Sequence, residues 1–215
     1  MAQRADPTKG SRSWHELLAT VLLVVTAVAT SWSSYQATRW NGEQAAAAGR
    51  ANAIRVQAAR SAALGEAQTQ VDVATFIAWT DADQSNAEEL ADFYMQRFRP
   101  EFEPAFEAWL ATSPFTSSSA PQTPFEMSEY KVAAREESER LDLAAETTAM
   151  TVTRNIQRAS NYVLTVVLYA IVLFFAGISI KMTSRRLQTI MLTAGYVVLA
   201  ATLTWIATFP VSLKI

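Results

Sequence analysis

Three uncharged apolar stretches dominate the pattern of hydrophobic and polar positions along the chain. They cover roughly Leu17–Ser33, Tyr162–Ile180 and Thr189–Phe209, and none of them contains Asp, Glu, Lys, Arg or His. A helix rises about 1.5 Å per residue, so about 20 apolar residues cross a hydrocarbon core of about 30 Å. The pattern therefore predicts an all-α integral membrane protein with three transmembrane helices.

A polar insert separates the first two apolar stretches, and its first part is typical of a long helix. No proline occurs from Ser33 to about Ala78, and the segment is dense in Ala, Gln, Arg and Glu, which favour helices. We expect span one to continue outward as a helical stalk. The many alanines would let a neighbouring helix approach it closely.

Aromatic residues at helical spacing mark the middle of the insert. Ser85-Asn-Ala-Glu88 matches a capping box and predicts the start of a new helix. Pro100 and Pro104 should divide that helix, with Pro104 in the first turn of the second piece. We expect its rings to form a core against the stalk. The alternative is a partly exposed partner-binding patch formed by Phe98, Phe102, Phe106 and Trp109.

A return helix is predicted after a Ser/Thr/Pro-rich linker, residues 113–123, which we expect to be mobile. Thr123-Pro-Phe-Glu126 is typical of a helix start, with a threonine N-cap and a proline at the first helical position. Neither proline nor glycine then occurs before Gly177. One helix from Glu126 to Ile180 is therefore expected to enter span two.

Stalk and return helix should form an antiparallel hairpin that meets the membrane near Trp40 and Asn161. In that register, a residue of the stalk and its neighbour on the return helix have numbers that sum to about 201. We therefore predict ion pairs across the hairpin, each contributing about 0–1 kcal/mol where exposed. The candidate residues are Arg50, Arg55, Arg60, Glu139, Asp142 and Glu146.

The basic residues flanking the spans predict the orientation. Arg4, Lys9 and Arg12 precede span one, and Lys181, Arg185 and Arg186 lie between spans two and three. The positive-inside rule places both segments in the cytoplasm, here of a bacterial cell with the chain in its cytoplasmic membrane. The predicted segments are a cytoplasmic N-terminus 1–16, span one with the start of the stalk 17–40, an extracytoplasmic helical domain 41–160, span two 161–180, a basic loop 181–188, span three 189–209 and an extracytoplasmic tail 210–215.

A secretory signal is the competing interpretation of span one, because Ala27-Val28-Ala29 resembles an A-x-A cleavage site. We prefer an uncleaved anchor, since the helical pattern continues past Ala29.

Charge is distributed unevenly around these spans. Residues 41–160 carry 10 Lys and Arg against 18 Asp and Glu, a net charge of −8, whereas the rest of the chain carries 8 against 2, a net charge of +6. An acidic insert makes nucleic acid an improbable partner. The expected partners are the lipid bilayer and either further copies of the chain or another membrane or envelope protein.

The sequence contains no recognisable catalytic or metal-binding constellation. There is no cysteine, and His15 is the single histidine. Phosphate-binding, dinucleotide-binding, hydrolase-elbow and zinc-protease motifs are absent. Acidic pairs such as Glu88/Glu89 lack the spacing of a calcium loop. We therefore expect neither an enzyme nor a bound cofactor or metal.

The spans carry small and hydroxyl residues but no ionisable group that would indicate a transport pathway. At helical spacing these residues form faces suited to close helix packing or, in an assembly, to lining a pore. The candidates are Thr26, Thr30, Ser33, Thr193, Ala200 and Thr204.

Two hypotheses for function follow from these patterns. The first is a non-enzymatic membrane scaffold or accessory subunit, oligomeric, that acts through helix packing and extracytoplasmic protein contacts. The alternative is a small homo-oligomeric ion channel with an acidic vestibule.

Overall fold

The computed structural model describes the backbone of residues 7–212 and the side chains of residues 14–212, and this part of the chain contains only helices, turns and loops. The helices are α1 (Pro7–Gln84), α2 (Glu88–Met95), α3 (Glu103–Ala111), α4 (Ala133–Lys181) and α5 (Arg185–Ile206), and a 3-10 turn spans Pro124–Glu126. The predicted all-α fold is confirmed. Parts of the predicted N-terminal segment and tail, residues 1–6 and 213–215, lie outside the described residues.

Three of these helices, α1, α4 and α5, are long and apolar enough to cross a membrane. Large apolar side chains on them point outward: Val28 is 67% exposed, Phe174 63% and Val197 62%. Large apolar side chains are usually buried in a protein core, and on a helix that spans a membrane the lipid covers them instead. The predicted membrane protein with three spans is supported to this extent.

The chain divides into two compact units. The first, which we call the span unit, comprises Met1–Ala48 and Ala149–Ile215. The second, the aromatic unit, comprises Gly49–Thr148. Both α1 and α4 contribute residues to each unit.

In the span unit, α5 packs closely against α1 and α4 at Gly195. A Cβ atom at this glycine would lie 2.9 Å from Cδ2 of Leu22 and 3.6 Å from Cβ of Phe175. The Tyr196 hydroxyl donates a hydrogen bond to the Leu18 carbonyl at 2.9 Å. The small residue lets three helices meet, as is common for helix packing in lipid.

Polar side chains fix the chain after α5 onto the other two helices of the span unit. Gln36 is fully buried; its Oε1 accepts from the Ser212 amide at 3.0 Å, and its Nε2 donates to the Ser212 carbonyl at 3.5 Å. The Tyr162 hydroxyl donates to the Pro210 carbonyl at 3.1 Å. Nearby, the Arg158 guanidinium lies 4.5 Å from the ring centroid of Trp40, a cation–π contact.

The aromatic unit encloses a core of stacked and edge-on rings. Its buried members come from the end of α1, from α2 and α3 and from the chain between α2 and α3; they are Phe76, Trp79, Ala82, Ala91, Phe98, Phe102, Phe106 and Trp109. Pro104 lies in the first turn of α3, as predicted from the sequence. Trp109 of α3 also contacts the linker 113–123, since its Nε1 donates a hydrogen bond to the Pro121 carbonyl at 2.8 Å.

The predicted capping box at Ser85 is wrong. The residue preceding α2 is Ala87, and no side chain caps this helix. Instead, Asn86 adopts a left-handed φ of 55°. The Asn86 amide donates to Asp83 O at 3.0 Å and the Ala87 amide to Ala82 O at 2.9 Å. These two bonds form a Schellman motif, so the segment ends α1 rather than starting α2 with a side-chain cap.

The predicted start of the return helix at Glu126 is also wrong, because α4 begins at Ala133. Pro124–Glu126 forms only a 3-10 turn, and Met127 is extended with ψ of 145°. Phe125, Met127 and Tyr130 pack against the aromatic core. These contacts hold residues 127–132 in an irregular path, which delays the helix by about two turns.

Candidate functional site

Close packing of α1 and α4 in the aromatic unit centres on Gly65. A Cβ atom there would lie 3.2 Å from the backbone nitrogen of Arg135. The numbers of these two residues sum to 200, within one of the predicted register. Buried positions on α1 recur every seven residues around this point, at Ala51, Ala58, Gly65, Asp72 and Trp79.

The six residues proposed for cross-hairpin ion pairs are all exposed. Among the side chains that the structure describes, those of residues 14–212, no ion pair shorter than 4 Å joins Arg50, Arg55 or Arg60 to the acidic residues Glu139, Asp142 and Glu146. An exposed pair between Arg135 and Glu66, at 3.9 Å, links α4 to α1 instead. The ion pairs of Arg50, Arg55 and Arg60 with Glu146, Asp142 and Glu139 therefore stay a prediction.

The candidate partner patch lies inside the protein. Phe98, Phe102, Phe106 and Trp109 are all at most 5% exposed. Each ring packs against other rings of the core, for example Phe98 and Phe106 at 4.8 Å between centroids. These four side chains therefore match the predicted core, and they form no exposed patch for a partner.

The predicted packing faces of the spans have different surroundings. Thr26 and Ser33 are fully buried in the span unit, and the Thr26 hydroxyl donates to the Leu22 carbonyl at 2.6 Å. Thr30 is half-buried and donates to Thr26 O at 2.8 Å. The third span presents its predicted residues outward, since Thr193, Ala200 and Thr204 are all exposed. Only the span-one residues thus pack within the chain.

A buried acidic residue, Asp72, organises one side of the aromatic unit. Its side chain is 0% exposed and is held by Arg99, with Nε–Oδ1 at 2.9 Å and Nη2–Oδ2 at 3.3 Å. The Tyr130 hydroxyl donates to Asp72 Oδ2 at 3.1 Å. Arg99 also pairs with Glu101 at 2.5 Å. A bidentate Arg–carboxylate pair is both strong and geometrically specific, so it fixes the segment around Arg99 to α1. The Tyr130 hydrogen bond fixes a second irregular segment to the same carboxylate.

The charges in this cluster shift the pKa values of its members. Burial of Arg99 alone would lower its pKa, but the hydrogen bond and charge of Asp72 outweigh burial and raise it. Burial raises the pKa of Tyr130, a hydrogen bond with Thr69 lowers it, and the Asp72 charge raises it further, so the net shift is upward.

Tyr130 should make the stability of the aromatic unit depend on alkaline pH. Because its pKa is higher in the folded chain than the ordinary value of 10.0, its contribution is complete below pH 10 and is lost as pH rises through the folded pKa. We expect the unfolding midpoint to fall more between pH 9 and pH 11.5 in the native protein than in Tyr130→Phe. Equal falls in the two proteins would contradict this role for Tyr130.

An exposed, uncharged seam runs along α1 in the aromatic unit. Its side chains alternate at spacings of three and four, which places them on one helical face. Leu64 is 55% and Val71 49% exposed. We call this face the α1 seam; it consists of Leu64, Ala67, Val71 and Ala74, which are exposed, and of Ala78, which is half-buried.

Sequence reasoning missed both Asp72 and the α1 seam. The spacing of the seam is visible in the sequence, but the neighbouring aromatic residues were the stronger apolar signal. Asp72 could have been noticed because it continues the seven-residue series of small residues Ala51, Ala58 and Gly65. Its partners Arg99 and Tyr130 are distant in the sequence and gave no local signal.

Where the structure describes side chains, from Trp14 to Ser212, no cluster of three or more His, Asp or Glu residues is arranged to hold a metal ion. No family model matches the chain, and neither a curated protein sequence nor a solved structure is significantly similar to it.

Proposed function

We propose that this chain is a membrane scaffold or accessory subunit that self-associates through the α1 seam. In this proposal the spans anchor the chain in a bacterial cytoplasmic membrane, with the N-terminus inside and the aromatic unit outside. The hairpin of α1 and α4 then presents the seam to neighbouring chains. The basic flanks of the spans support this orientation.

The observation that carries the proposal is the seam itself. Two large aliphatic side chains, Leu64 and Val71, are about half exposed on a helix that buries its opposite side. Small residues flank them, so a second helix can approach closely. Fully burying a leucine or valine contributes about 1.5–3 kcal/mol relative to leaving it exposed.

A second copy of the chain is the occupant that the anchoring favours. Copies held in one membrane with one orientation present equivalent faces, and a two-fold axis along the membrane normal pairs those faces. Arg60 and Asp81 lie on the same helical face at the two ends of the seam. In a parallel pair each would meet its own copy, at a cost of about 0.2–0.5 kcal/mol. The apolar contribution of Leu64 and Val71 exceeds that cost.

The channel alternative has less support. A pore between copies needs hydroxyl residues on the outer surface of the spans, whereas Thr26 and Ser33 are buried within one chain. Thr193 and Thr204 are exposed, but the large apolar residues Val197 and Leu203 are exposed on the same helix.

Val71→Glu should convert oligomers into monomers, because it places a charge in the centre of the seam on each copy. The mass of the full-length protein in bilayer discs measures this directly. Val73→Glu is the matched control, since Val73 is also exposed on α1 but lies off the seam. A native protein that is purely monomeric, or a Val71→Glu variant that remains oligomeric, would contradict the proposal.

A further inference from the structure

We propose that a groove between α1 and α5 in the span unit binds an anionic phospholipid, with one acyl chain in the groove and the phosphate at Arg186. This inference concerns the lipid around the spans and does not depend on the self-association proposed above.

The groove is shallow and mostly apolar, with a volume of about 350 Å³. Leu18, Leu192, Val197 and Ala200 form its apolar walls. Two hydrogen-bonded contacts bridge the helices across its floor: His15 Nε2 lies 3.4 Å from the Thr189 hydroxyl, and Tyr196 donates to the Leu18 carbonyl. The two walls are therefore fixed relative to each other.

The length of the groove matches one lipid leaflet. From Thr189 to Ala200 the helix rises about 17 Å. One leaflet contributes about 15 Å of hydrocarbon, half of the core of about 30 Å. A single acyl chain lying along α5 would thus fill the groove from end to end.

Arg186 lies above the groove on the same face of α5. It precedes Thr189, Thr193, Val197 and Ala200 at spacings of three, four, four and three residues. Side chains on a helix tilt toward its N-terminus, so the guanidinium extends from the groove toward the headgroup level. Arg186 is exposed and forms no side-chain hydrogen bond or ion pair with the described side chains of residues 14–212.

The charge around this end of the span unit selects an anionic headgroup. Residues 7–16 and 181–188 carry five basic residues, Lys9, Arg12, Lys181, Arg185 and Arg186, against the single acidic residue Glu16. Ser184 does not cap α5 with its side chain, so amides of the first turn add donors at the same level. Basic sites between spans at this depth are typical of anionic-lipid binding.

Lipid retention in the full-length protein tests the site. The protein is reconstituted in discs of equimolar phosphatidylglycerol and phosphatidylcholine, released, and its bound lipids are counted by native mass spectrometry. The native protein should retain phosphatidylglycerol preferentially, and Arg186→Gln should lower that preference about fivefold. Arg154→Gln, which removes an exposed arginine of α4 far from the groove, is the matched control and should change nothing.

A second variant tests the acyl chain. Ala200→Trp should fill the groove and lower the retention of both lipids. Thr193→Leu should have the same effect to a smaller extent, and it replaces Ala200→Trp as the test if that variant does not fold. An unchanged lipid preference in Arg186→Gln, or unchanged retention in the folded groove variants, would overturn the proposal. Displacement of the bound lipid by millimolar inorganic phosphate would also overturn it, because the site would then be a free-anion site.

Discussion

Arg99→Met is expected to destabilise the aromatic unit by about 3–5 kcal/mol, because it leaves the Asp72 carboxylate buried without its charge partner. Asp72 is 0% exposed, and Arg99 supplies two of its hydrogen bonds. Urea unfolding of the full-length protein, followed by the fluorescence of Trp79 and Trp109 in the core, measures the loss.

Two controls separate the buried pair from charge in general. Glu101→Gln removes the more exposed partner of Arg99, whose side chain is 44% exposed, and should cost about 1 kcal/mol or less. Replacing both partners, as Asp72→Leu with Arg99→Met, should recover much of the loss because no buried charge then remains. A cost below about 1 kcal/mol for Arg99→Met alone would show that Asp72 is compensated in another way.

Phe102→Ala should lower the unfolding free energy by about 3–5 kcal/mol, because it removes packing from the aromatic core. The ring is fully buried, and its centroid lies 5.0 Å from that of Phe98 and 5.3 Å from that of Phe125. Removing it leaves a cavity between the chain segment before α3 and the 3-10 turn. The same urea titration measures the change in unfolding free energy.

Phe93→Ala is the matched control for this substitution. Phe93 is 45% exposed and makes a cation–π contact with Arg97, whose guanidinium lies 3.4 Å from the ring centroid. An exposed contact of this kind contributes about 0.5–1 kcal/mol. If the two phenylalanine variants lose similar stability, the aromatic cluster is not the core of this unit.

The helix content and the presence of three helices apolar enough to cross a membrane could be predicted because both depend on local properties. Long uncharged stretches and runs of strong helix formers act through residues close in the sequence. A proline such as Pro104 likewise limits a helix by its own geometry. The ends of helices depended on more. Asn86 took the left-handed position that ends α1, and the packing of Tyr130 against the core delayed α4 to Ala133.

The candidate site was less predictable because its parts are brought together by the fold. Arg99 follows Asp72 by 27 residues in the sequence, and Tyr130 follows it by 58. The spacing of residues along α1 does not indicate which residues pair with Asp72. The α1 seam, by contrast, is a local pattern of five uncharged residues, and attention to spacing alone would have found it.

Disulfide crosslinking in native membranes tests the α1 seam most directly. The chain contains no cysteine, so each variant carries a single thiol. A disulfide between copies requires their Cα atoms to approach within about 7 Å. We expect dimers of Leu64→Cys and Val71→Cys under mild oxidation, with little or no dimer of Val73→Cys. Equal crosslinking at Val71 and Val73, or none at either seam position, would contradict it.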